Sequence, residues 1–185
     1  MTYFNVVENI LSSEDVTVGG GSASAFSGAM AAGLIGMVAR LSVGKDYGMT
    51  DKEYISYAEE LDMLNEKLIQ GVQKDADAYM GIVNAFKLPK STEEEKTLRK
   101  IAVQQAGIDG ATAPRDNAYL CKKVLEVGKA LEGKSNTNAA SDLNIGVNLA
   151  AVGVDGCIQN IKANLGMIKD EEVLKGFHED INSLK

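Results

Sequence analysis

The stretch SASAFSGAMAAGLIGMVARLS, residues 22–42, decides how the chain folds. Residues 22–39 carry no charge, so a membrane span is the first reading to weigh. A span needs about 20 predominantly apolar residues. Most residues here are Ala, Gly or Ser, which favours a helix buried inside a protein. Small residues recur every four positions, at Ser24, Gly28, Ala32 and Gly36. That spacing puts one smooth face on a helix and lets a second helix approach closely.

The rest of the chain repeats this helical logic. A glycine run, Gly19-Gly20-Gly21, precedes the stretch, and the turn SVGKDYGM follows it. Upstream, Phe4, Val7 and Leu11 mark a first helix over about 2–11. Thr50, with Glu53 three residues on, starts a long helix that Pro89 ends near Lys87. Ser91 or Thr92 opens the next, its first turn acidic at positions 93–95. Pro114 is expected to break or kink it, with a further helix over 115–131 and Gly133 just beyond. A second small-residue face, on Asp142, Gly146, Ala150, Gly153 and Cys157, lies in a helix over about 138–165. Asp170 caps a last amphipathic helix over about 171–184. No run alternates with a strand's period of two. The expectation is one all-α domain over residues 1–185. It is a compact bundle of six or seven helices, with the two glycine- and alanine-lined helices central.

Composition narrows the function. The net charge of −7 argues against nucleic acid, which calls for a basic surface. Cys121 and Cys157 lie far apart and read as reduced thiols. The N-terminus lacks a basic region and a cleavage-like site, as expected of a cytoplasmic chain. With His178 as the single histidine, there is no Ser-His-Asp triad and no cysteine–histidine zinc cluster. No metal site and no cofactor are expected.

Asp75 is the sharpest candidate. Leu61, Leu64, Leu68, Val72, Asp75, Tyr79, Ile82 and Phe86 share one helix face, so this carboxylate points where apolar residues point. Apolar surroundings raise a carboxyl pKa, which suits a general acid or base. A structural ion pair is the alternative, and Asp77 is read as solvated. The backbone N–H groups of Gly20, Gly21 and Ser22, at the mouth of an apolar helix, can dock an anion or a polar group. A tight turn that needs glycine explains the same run. Asn138, Ser141 and Asp142 form a polar cluster at a helix start, where helix capping is the plainer role. Lys45 and Tyr47, in the turn after residue 42, are candidates for holding an anionic substrate, with a solvated turn lysine as the commoner role.

Three segments together resemble a known family: VGGGSASAFSGAMAAGLIGMVARLSVGKDY at 18–47, KDADAYMGIVNAFKLPKSTEEEK at 74–96, and NTNAASDLNIGVNLAAVGVDGCIQNIKANL at 136–165. The chain is similar throughout to the formiminotransferase-cyclodeaminase C-terminal domain family, which includes cyclodeaminases and methenyltetrahydrofolate cyclohydrolases. The resemblance implies a homodimeric helical domain with a folate site around the glycine loop and the acidic helix. The family's catalytic aspartate matches Asp75. Where members often carry Pro-Gly-Gly-Gly-Ser, this chain has Val18, which loosens the loop but keeps its donors. The implied substrate is a tetrahydrofolate derivative. The first expected activity is conversion of 5-formiminotetrahydrofolate to 5,10-methenyltetrahydrofolate and ammonia. Hydrolysis of the methenyl compound is second, and a non-catalytic folate-binding or dimerisation module is the competing class. Lys45 and the Gly20–Ser22 donors are assigned to the anionic tail, and Asn138 and Asp142 to the pterin edge.

Overall fold

The computed structural model describes residues 8–14 and 16–185. Most of the first expected helix therefore lies outside the described residues, although 8–11 are helical. Five α-helices follow: α1 (Gly20–Ser42), α2 (Asp51–Lys87), α3 (Glu93–Leu131), α4 (Ala140–Leu165) and α5 (Glu171–Leu184), with a 3-10 turn at Thr137–Ala139. No strand occurs among the described residues.

Helices α1 to α4 form an up-down-up-down bundle. Facing residues set the directions. Gly21 meets Asp75 and Gly28 meets Leu68, so α1 and α2 run antiparallel. Gly71 meets Asn117 and Gly110 meets Ile82, which does the same for α2 and α3. Gly146 lies against Ile35 and Gly153 against Ser24, so α4 returns antiparallel beside α1. The two glycine-lined helices are thus the paired centre. A Cβ on Gly28 would sit 2.4 Å from Cys121 Sγ, and one on Gly153 3.0 Å from the Ser24 carbonyl. Glycine costs up to about 1 kcal/mol in a helix, and here close packing requires it. Ser27 reinforces the pair by donating to the Leu149 carbonyl at 2.8 Å. The apolar α1 passes a length-and-hydropathy test for a membrane span, yet 67% of its most apolar window is buried inside the bundle.

Capping follows the sequence closely. Thr50 with Glu53 and Thr92 with Glu95 form reciprocal capping boxes, and the Asp170 carboxylate accepts from Glu172 and Val173 N–H. Gly133 takes a left-handed φ of 68° beyond α3. Pro114 departs from expectation. Residues 93–131 form one helix that runs through it. A proline at 114 removes the N–H that would serve the Gly110 carbonyl. Asn164 replaces that donor, its Nδ2 lying 2.7 Å from Gly110 O. The break expected there is absent because α4 supplies the missing hydrogen bond. Two helix starts also move. The first central helix opens at Gly20, so Gly20 and Gly21 lie in its first turn. The Asn138 region forms the 3-10 turn, which Asn136 caps by accepting from Asn138 N–H. Neither Asn138 nor Ser141 caps α4.

Candidate active site

Asp75 lies where the apolar stripe of α2 leaves the core. Leu61, Leu64, Leu68 and Val72 are buried, whereas Tyr79 and Phe86 are 39% and 49% exposed. The stripe therefore stops packing the bundle at Asp75 and begins lining a cleft. A cavity of about 200 Å³ opens there, walled by Gly19–Gly21, Tyr79, Ile82, Gly110, Asn160 and Asn164, with Asp75 at its base.

The start of α1 shapes the carboxylate's surroundings. Gly19 caps α1 without a side chain, so the leading N–H groups have no local partner. Ser22 Oγ donates to Asp75 Oδ2 at 2.8 Å, and the Ser22 backbone N–H also donates to this carboxylate. A Cβ at Gly21 would stand 2.3 Å from Asp75 Oδ1, so only glycine lets the carboxylate approach this helix end. Burial raises the Asp75 pKa, and the two Ser22 hydrogen bonds oppose it only partly. Among the described residues no Lys or Arg forms an ion pair with Asp75. The result is an oriented carboxyl, held toward its protonated form, at the edge of a cleft. Such a carboxyl can accept and return a proton. Asp77, two residues on, is exposed and accepts from Gln73 at 2.7 Å.

The cysteines lie deeper. Both are buried and unbridged, and hydrogen bonding with Cys121, then burial, push the Cys157 thiol far up. His178 is exposed. Among the described residues no three of His, Cys, Asp and Glu converge as a metal-ligand set.

The structure gathers Gly20, Gly21, Ser22 and Asp75 at one end of the bundle. Lys45, Asn138 and Asp142 lie at the other, because α1 and α4 run antiparallel. Ser22 and Ser42 are about 30 Å apart at 1.5 Å per residue. Within one subunit these residues do not join the Asp75 cleft. Asn160 and Asn164 take that place. Asn160 Nδ2 donates to the Gly156 carbonyl at 3.0 Å and lies 3.4 Å from where a Gly20 Cβ would be. The signal for them was a pair of amides four apart, continuing the small-residue face of α4 past Gly153.

The site is one half-buried carboxyl that an all-α domain presents at a glycine-built helix start. The comparisons specify it further. The profile of the family described as formiminotransferase-cyclodeaminase matches residues 5–183, and the chain belongs to that family. A methenyltetrahydrofolate cyclohydrolase from Methylorubrum extorquens is 32% identical over 170 residues, 89% of this chain and 82% of the relative. The formimidoyltransferase-cyclodeaminase of Gallus gallus is 31% identical over 83% of this chain, which spans only 29% of that longer protein. The crystal structure of formiminotetrahydrofolate cyclodeaminase from Thermotoga maritima superposes with a TM-score of 0.84 at 25% identity, covering 100% of this chain and 88% of that one.

Proposed function

We propose that this chain transfers protons on the one-carbon unit between N5 and N10 of tetrahydrofolate, with Asp75 as the acid/base. The carrying observation is the Asp75 carboxyl itself. It is raised by burial, fixed by Ser22 and open to a cleft. In the first reading the enzyme is a formiminotetrahydrofolate cyclodeaminase. N10 attacks the amidinium carbon, and Asp75 takes the N10 proton. The carboxyl then returns that proton to the amino group, the C–N bond breaks, and ammonia leaves with 5,10-methenyltetrahydrofolate. A positioned carboxyl supplies about 10²–10⁴-fold by this route. The structural likeness to a cyclodeaminase over the whole chain supports it.

The second reading is methenyltetrahydrofolate cyclohydrolase, favoured by the Methylorubrum relative matched over most of both chains. Water adds to the methenyl carbon, Asp75 takes one of its protons and delivers it to N5, and the C–N5 bond breaks as the remaining hydroxyl proton is released to solvent, giving the 10-formyl compound. The two substrates, supplied separately, distinguish these readings. Ammonia release from 5-formiminotetrahydrofolate identifies the deaminase, and loss of methenyl absorbance above the uncatalysed rate identifies the hydrolase. The absence of both activities would refute the folate reading.

The enzyme is further proposed to be cytoplasmic and homodimeric, without metal, cofactor or nucleic acid. The dimer is supported by an exposed apolar strip across α1 and α4, with Met30, Met37, Leu41, Ile145 and Val152 at 39–60% exposure. Such a strip on the central helix pair suits a second copy better than solvent.

A further inference from the structure

The wall that α4 gives to the Asp75 cleft carries two amides four residues apart, Asn160 and Asn164. Residues at that spacing share one face of a helix. The hydrogen bonds each amide makes inside the chain decide which atoms it has left for a ligand.

Asn164 spends both of its N–H groups. Its Nδ2 donates to the Gly110 carbonyl at 2.7 Å and to the Asn160 carbonyl at 3.1 Å. Both partners are carbonyl oxygens, so turning the amide over would set oxygen against oxygen. The Gly110 carbonyl is open to a side chain because Pro114 brings no backbone N–H to it. Asn164 Oδ1 therefore stands as a fixed acceptor, without a partner among the described residues and not sealed from solvent. Asn160 gives one N–H to the Gly156 carbonyl at 3.0 Å. Its second N–H has no partner among the described residues.

The two amides stand at different levels of the cleft. Asn160 lies beside Gly20, next to the Gly21 that meets Asp75. Asn164 lies on Gly110, which meets Ile82, seven residues beyond Asp75 on α2. At 1.5 Å per residue that is about 10 Å along α2. A fused two-ring heterocycle with a hydrogen bond of about 2.9 Å at each end spans this distance. Outward from Asp75 the wall thus offers a donor and then a fixed acceptor. The ring of tetrahydrofolate carries the complement in the same order. Outward from N5 come the 4-oxo oxygen, then the N3–H and the 2-amino group.

We infer that Asn160 and Asn164 read this edge of the ring and so determine which pterins the site accepts. Asn160 donates its second N–H to the 4-oxo oxygen, Asn164 Oδ1 accepts from N3–H and the 2-amino group, and N5 is presented to Asp75. The inference rests on the folate reading above. A 4-amino ring reverses the pattern: a donor replaces the 4-oxo oxygen opposite the Asn160 N–H, and N3 without its hydrogen meets the Asn164 oxygen. Asn160 could adapt only by turning its oxygen onto the Gly156 carbonyl.

The test compares dissociation constants of the full chain for tetrahydrofolate and for its 4-amino analogue, in which an amino group replaces the 4-oxo oxygen. The unaltered protein is expected to bind tetrahydrofolate at least about tenfold more tightly. In Pro114→Ala/Asn164→Ala the new backbone N–H serves the Gly110 carbonyl, so the fold is kept while the fixed acceptor is lost. This variant should lose most of the preference, which a purely structural role for Asn164 would leave in place. Asn160→Ala, which removes only a bond within its own helix, should weaken the preference as well. Equal constants in the unaltered protein, tighter binding of the 4-amino compound, or a preference that both variants leave unchanged overturns the inference and leaves the folate reading standing. If neither compound binds, the folate reading fails and this inference fails with it.

Discussion

Replacing Gly21 by alanine would place a Cβ 2.3 Å from Asp75 Oδ1 and 2.7 Å from both Cγ and Oδ2. Glycine to alanine within a helix ordinarily gains up to about 1 kcal/mol. Overpacking costs about 1–3 kcal/mol and the gain is about 0.5–1, so the net loss lies between about 0 and about 2.5 kcal/mol. Relief comes most readily from the side chain, because the carboxylate can rotate away while the packed helices cannot separate. Rotation, however, breaks the 2.8 Å bond from Ser22 and moves the acid from the reacting position. A misplacement of about 1 Å costs on the order of 10²-fold in rate. Gly21→Ala should therefore lose about 100-fold in turnover while its melting temperature falls by only a few degrees. Gly81→Ala is the control. It lies within α2 with nothing within 4 Å of its added Cβ, so it should melt slightly higher and turn over normally. Full turnover in Gly21→Ala, together with a raised melting temperature, would refute the reasoning that glycine is there to admit the carboxylate.

Other outcomes follow from the same geometry. A carboxyl with a raised folded pKa contributes stability below the ordinary carboxylate range and loses it as pH rises through the raised value. Asp75→Asn should thus melt above the unaltered protein near about pH 8 and lose that advantage below about pH 4, read from paired thermal scans. Asn164→Ala orphans the Gly110 carbonyl and should cost about 1–3 kcal/mol in denaturant unfolding. Adding Pro114→Ala restores a backbone donor to that carbonyl, so the double variant should recover part of the loss; strict additivity would contradict the pairing. Met37→Asp with Val152→Asp should convert the proposed dimer to a monomer by light scattering, and an unchanged mass would remove that face from the interface.

Much of this molecule is legible in its sequence because helices are specified locally. Thr50 with Glu53, Thr92 with Glu95, Asp170 and Gly133 announce helix ends through hydrogen bonds made within a few residues. Asp75 is legible because period-3.6 spacing carries it into an apolar stripe. What the spacing leaves open is which helix end meets which. Antiparallel pairing of α1 with α4 carries Asn138 and Asp142 away from Asp75 and brings Asn160 and Asn164 to it. Pro114 misleads for the same reason. Its local effect is to break a helix, and the residue that cancels it lies fifty positions later in α4.

The central claim, that Asp75 moves the proton, is tested most directly by the turnover of Asp75→Asn on the folate substrate that the unaltered protein consumes. Asparagine keeps the size of the side chain and an oxygen for the Ser22 hydroxyl, so folding and substrate binding should persist. The account expects kcat to fall by about two orders of magnitude or more with the dissociation constant little changed. A variant that turns over at the unaltered rate would take Asp75 out of the chemistry.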